Sequence, residues 1–177
     1  FQLMVKDPTT LKSIPVMVEA KGTKGKLLKL TKLGEVELET SYPKDSKEGA
    51  ANPHKAGDTC YTTIQSYAVN GAVFYARNII EYSDSYDAAI AVGINGYDDT
   101  TERKYQCEIY YISKENAFVP KKLGDDIQLL FEKNIHTLMR AVNSATLTDA
   151  EKERLTKNAE TQIDDNLKRL NQMMHDG

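Results

Sequence analysis

At 177 residues, with 40% hydrophobic and 28% charged side chains, the chain is long enough to bury one core and carry a small appendage. A net charge of −3 excludes a polycation that holds nucleic acid by bulk charge, so any DNA contact must be local. Cys60 and Cys107 are too few for a zinc site or a disulfide framework, and no apolar run approaches the roughly 18 residues that span a bilayer.

Residues 1–5 are apolar enough for a strand, residues 6–10 carry turn chemistry, and residues 15–20 read as a second strand, together an antiparallel hairpin. In the second strand Val16 and Val18 share one face while Met17, Glu19 and Lys21 share the other, so Glu19 and Lys21 are expected side by side. A carboxylate and an ammonium so placed suit metal-assisted attack on a phosphate; as a bland alternative they form a strand-end salt bridge. Glu102-Arg103-Lys104 repeats the pattern in a polar run without the apolar strand or the closing Gly22, and no site is expected there. A turn centred near residues 10 and 11 pairs Glu19 with about Gln2, which puts a second metal-binding carboxylate at or just before Phe1. Asp7 lies about five residues along that ladder, roughly 16 Å off, and reads as a turn residue.

Residues 22–59 form a long polar excursion with a short helix or hairpin of its own around Leu27, Leu28, Leu30, Leu33, Val36 and Leu38. Lys21, Lys24, Lys26, Lys29 and Lys32 run without an acid among them, a positive tract that starts at the candidate site. His54 has no ligating neighbour and reads as an exposed loop histidine.

A single helix is predicted over 61–82, with Ile64, Ala68, Ala72, Tyr75 and Ile79 at helical spacing and Gln65 in its first turn, within reach of the strand rim. Residues 87–94 read as a strand buried on both faces, residues 95–99 as a turn and residues 105–112 as the next strand. Beyond Pro120, one amphipathic helix runs from Ile127 to Val142, and Thr148-x-x-Glu151 is a capping box that opens a longer, more polar helix. His136 is expected on its polar side, and Met173-Met174 as packing residues. The expected architecture is α/β: a mixed central sheet flanked by helices over residues 1–122, with an insertion at 22–59, then a two-helix extension or connector over 123–177. The chain starts at Phe1 with no initiator or signal-peptide shape, so it is expected to be a piece of a longer, cytoplasmic polypeptide.

Val18-Glu19-Ala20-Lys21-Gly22, followed by Gln65-Ser66-Tyr67-Ala68-Val69-Asn70-Gly71 and its continuation through Arg77, resembles the N-terminal nuclease domain of type I and type I-like restriction enzymes. These have the PD-(D/E)xK fold, and the likeness is to the form fused ahead of an N6-adenine DNA methyltransferase. It covers residues 1–119. The resemblance implies a restriction-endonuclease-like core and a magnesium-dependent endodeoxyribonuclease domain, with Glu19 a metal ligand, the Ala20 carbonyl facing the metal and Lys21 positioning the water or scissile phosphate. It implies Gln65 as the counterpart of a glutamine-tyrosine motif, which Tyr67 does not complete at the usual interval, and a first acid just before Phe1 that cleavage requires. The expected partners are double-stranded DNA, followed through its backbone by Lys24, Lys26 and Lys29, and methyltransferase and specificity domains of the same or a partner chain; no membrane and no covalent cofactor are expected. The rival is a non-catalytic DNA-binding or interdomain scaffold of a DNA methyltransferase. A small-molecule-binding α/β protein has little support, because no Gly-rich phosphate loop follows a predicted strand.

Overall fold

The computed structural model describes residues 2–38, 58, 60–145 and 149–175; His54 and the capping-box residue Thr148 lie outside them, as does the polar run at 43–49. Five strands form one mixed sheet in the order β1 (Gln2–Lys6), β2 (Ser13–Lys21), β3 (Ala88–Asp98), β4 (Arg103–Ser113), β5 (Lys121–Gly124). Only β2 and β3 are parallel, and the chain between them supplies the crossover helix that parallel pairing requires. This is the α/β class expected from the sequence.

The β1–β2 turn is built on Asp7. Its main chain bonds Leu11 and Lys12, and its carboxylate accepts from Thr9 N at 2.8 Å and Thr10 Oγ1 at 2.6 Å. Those bonds, Thr10's first, hold the carboxyl below its ordinary pKa, as charge-assisted hydrogen bonds to an anion do. The hairpin register sets Gln2 opposite Met17, two residues short of the expected Glu19.

The helix expected over 61–82 is broken into α1 (Tyr61–Gln65) and α2 (Ala68–Tyr82), because Tyr67 is extended. The first N–H groups of α2 are instead taken by the excursion after β2: Ala68 N donates to Lys26 O at 2.9 Å and Val69 N to Leu27 O at 2.8 Å. Asn70, fully buried, locks the same segment, accepting from Lys29 N and donating to the carbonyls of Lys29 and Glu37. A small hairpin follows, with Leu30 bridged to Val36. The described part of the excursion is therefore a strap bonded to the start of α2.

One face of the sheet packs on α2, where Val69, Val73, Ala76 and Ile80 meet Ala89, Ala91, Tyr110 and Ile112. On the other, Val16, Ile90, Val92 and Ile109 meet Leu138, Met139 and Val142 of α3 (Ile135–Ser144). One expectation is corrected here. Residues 127–142 are not one helix but two 3-10 turns, Ile127–Leu130 and Glu132–Asn134, followed by α3; Asp126 caps the first turn and extended Phe131 separates the two. The fifth strand was not foreseen. The first compact unit is Phe1–Ala145, in which α3 closes the core and Asn116 Nδ2 donates to Ala145 O at 2.9 Å. The second unit contains α4 (Asp149–His175), on which Met173 and Met174 are exposed, not packed. His136 is exposed, as expected, and both cysteines are buried. No helix among the described residues is long and apolar enough to cross a membrane.

Strand β3 also runs past its expected end at 94: Asn95 to Asp98 pair with Gln106 to Arg103, and the turn moves to 99–102. The second Glu-x-Lys sits on this turn, where Lys104 is 3.4 Å from Glu102 and 3.8 Å from Asp99, an exposed ion-pair network and no more.

Farther along β4, burial raises the hydroxyl pKa of Tyr110, reinforced by the bond its OH donates to Glu108 Oε2 at 2.7 Å, and burial raises those of Tyr105 and Tyr111. Below about pH 10 folded and unfolded chains alike keep these protons; above it the unfolded chain loses protons that the folded one retains, so stability falls as pH rises. Urea midpoints should decline above about pH 10, less steeply in Tyr110→Phe than in the wild type.

Candidate active site at the end of strand β2

The alternation of β2 puts Met17, Glu19 and Lys21 on the face covered by α2, and the parallel register sets Glu19 beside Gly93 and Lys21 beside Asn95. Lys21 Nζ donates to Glu19 Oε1 at 2.6 Å, with both side chains about a quarter exposed. They face one another at the C-terminal end of β2, where its parallel ladder with β3 stops, the usual side for ligands in such sheets. Ala20, between them, has its side chain on the opposite face and can offer only its carbonyl.

Two glycines make the room. A Cβ at Gly71, in the first turn of α2, would lie 3.3 Å from Glu19 Cγ and 3.7 Å from Gln65 Cα, so the glycine lets the carboxylate lie against the helix and keeps Gln65 near it. That turn carries the positive end of the helix dipole, which favours an anion. Gly93 in turn admits the main chain of Val69 onto the sheet.

Gln65 Nε2 donates to Tyr75 OH at 2.9 Å. Gln65 thus meets Tyr75 rather than Tyr67, which stacks under Lys26, whose Nζ lies 4.6 Å from the ring centroid. Sequence reasoning missed Tyr75 because the helix break between the two residues leaves no local spacing to read. It also missed Asn95, read as a turn residue but placed by the extended β3 beside Lys21, with 0% exposure and both side-chain polar atoms unpartnered among the described residues.

The neighbouring acid in the same row, Glu108, is not a companion for Glu19. Val69 sits over Gly93 between them, and Glu108 is held by Tyr110 and by Lys122 Nζ at 2.9 Å. Among the described residues no three His, Cys, Asp or Glu side chains cluster to hold a metal. Magnesium, however, is ordinarily held by one or two carboxylates, waters and substrate phosphates. Glu19 and the Ala20 carbonyl are hard oxygen donors that fit one side of such a site. Continued at its register, β1 would place opposite Glu19 the residue preceding Phe1.

The lysine tract is only partly free of partners. Lys24 lies 3.5 Å from Asp99 with most of its side chain in solvent, Lys29 pairs with Glu37 at 3.1 Å, and Lys26 covers Tyr67. Exposed pairs of this kind are weak and yield to a phosphate. A cleft of about 660 Å³ lies elsewhere, where β2 and β3 begin; Asp7, Lys12, Asp87 and Lys114 line it, which is not the deep apolar pocket a small-molecule site would show.

The chain is 35% identical over 98 residues to the type II restriction enzyme and methyltransferase RM.BcgI of Heyndrickxia coagulans, a match that covers 54% of this chain and 14% of that protein. The chain thus spans about a seventh of the curated relative it matches. No protein-family model matches, and neither does any solved structure. The likeness agrees with the restriction-modification part of the resemblance read from the sequence.

Proposed function

We propose that this chain is a magnesium-dependent endodeoxyribonuclease domain of a restriction-modification protein of the PD-(D/E)xK kind. The observation that carries the reading is the 2.6 Å Glu19–Lys21 pair at the rim of the parallel strands, against the first turn of α2. The similarity to RM.BcgI supports the same class.

A magnesium ion, when bound, supplies charge on the scissile phosphate and makes a coordinated water more acidic. Glu19 and the Ala20 carbonyl would hold it, with an acid from the residues before Phe1 as the further ligand. Lys21 places its ammonium by the phosphate, where it stabilises charge developing in the transition state. Gln65, fixed by Tyr75, offers an amide at the same rim. Lys24, Lys26 and Lys29 hold the DNA backbone without reading its sequence, which leaves recognition to specificity domains and modification to a methyltransferase, in this or a partner chain.

Plasmid cleavage by the full-length protein tests this: Glu19→Ala and Lys21→Ala should each abolish magnesium-dependent cutting, and cutting that survives both substitutions removes the mechanism. The second reading, a non-catalytic DNA-binding or interdomain scaffold, is favoured by one fact, that Lys21 already neutralises Glu19, the one acid at the site among the described residues. It predicts DNA binding indifferent to magnesium and to Glu19→Ala.

A further inference from the structure

Asn95 is fully buried on β3, beside Lys21 and on the same face, and neither Oδ1 nor Nδ2 has a partner among the described residues. A buried amide left unpaired bears its whole desolvation penalty, whereas an apolar residue of similar size would bear none. Lys21 next to it has one acceptor, Glu19 Oε1. A carboxylate that takes a divalent cation shares its charge with it and holds a neighbouring ammonium less strongly, so Lys21 then gains from another oxygen within reach. Adjacent strands lie about 4.8 Å apart, well inside the length of a lysine side chain.

We propose that Asn95 receives the Lys21 ammonium when Glu19 gives its carboxylate to a divalent cation. Asn95 is a positioning residue: it lets the site open to the cation and holds Lys21 toward the phosphate. The inference rests on the nuclease reading of Glu19 and Lys21.

The test uses the full-length protein labelled with 15N-asparagine and titrated with magnesium chloride, with cation binding followed in parallel by calorimetry. The side-chain amide resonances of Asn95 should move in step with saturation, and stay still in Lys21→Met. Asn95→Leu should weaken magnesium binding about tenfold or more, the range seen when outer-shell partners of metal ligands are lost, because Lys21 then stays on Glu19 as a competitor. If magnesium binds in a Glu19-dependent way while the Asn95 resonances stay fixed, the inference fails and the site reading stands. If no magnesium binds, both fail.

Discussion

Gly93→Ala is expected to destabilise the chain by about 3 kcal/mol and to disable the site together with the fold, as read from urea midpoints and plasmid cleavage. A Cβ at this position would lie 2.6 Å from Val69 N and 2.7 Å from Val69 Cα, distances that real Cβ atoms do not show. The obstacle is the main chain at the start of a helix, not the end of a flexible side chain, so nothing nearby can give way by rotating. Helix α2 must lift from the sheet. Lifting it strains the bonds from Ala68 N and Val69 N to the carbonyls of Lys26 and Leu27, and it moves Gly71 off Glu19. Inserting a carbon into a packed core costs 1–3 kcal/mol, and contact with backbone puts this case at the upper end. Gly96→Ala, in the same strand, is the control. Its Cβ would meet Lys104 O at 4.0 Å, ordinary contact, and its midpoint should stay near that of the wild type.

The contrast between Gly93 and Gly96 also shows how far the sequence could be read. Alternation in β2 was enough to place Glu19 and Lys21 on one face, because a strand's period is set by local stereochemistry. Asp7 was legible as a turn residue for the same reason, its carboxylate bonding only residues two and three positions on. What was not legible depends on distant groups. Asn95-Gly96-Tyr97-Asp98 has the composition of a turn, but the last four of the eleven ladder pairs between β3 and β4 hold it as strand. The apolar period of 61–82 runs unbroken through Ser66 and Tyr67; the break comes from the carbonyls of Lys26 and Leu27, some forty residues earlier. An apolar stripe likewise crosses the two 3-10 turns before α3 without recording that the chain is extended at Phe131. The Gln65–Tyr75 bond and the isolation of Asn95 are consequences of these long-range choices, so the Glu19–Lys21 pair and the place of Gln65 were readable while Tyr75 and Asn95 were not.

Asn70→Ala is expected to cost about 3 kcal/mol, a large effect for a side chain that touches no part of the proposed chemistry. Asn70 is 1% exposed and makes three bonds to the strap after β2, at 2.9 Å from Lys29 N and 2.8 Å each to Lys29 O and Glu37 O. Alanine removes the side chain and leaves Lys29 N and Glu37 O, both part-buried, without this partner, while Lys29 O keeps the bond from Glu37 N at 3.1 Å; each orphaned group carries a penalty of about 1–3 kcal/mol that does not add fully. Asn70→Asp should be at least as damaging: it keeps an acceptor for Lys29 N–H but turns carboxylate oxygen toward two carbonyl oxygens. Lys29→Ala is the informative comparison, because Asn70 grips the main chain of Lys29 and not its ammonium. That variant loses only a partly exposed pair with Glu37 and should cost under about 1 kcal/mol. Urea midpoints of the three variants therefore separate anchoring of the strap from its charge. If Lys29→Ala were as destabilising as Asn70→Ala, the strap would be held by its ion pair and not by the buried amide.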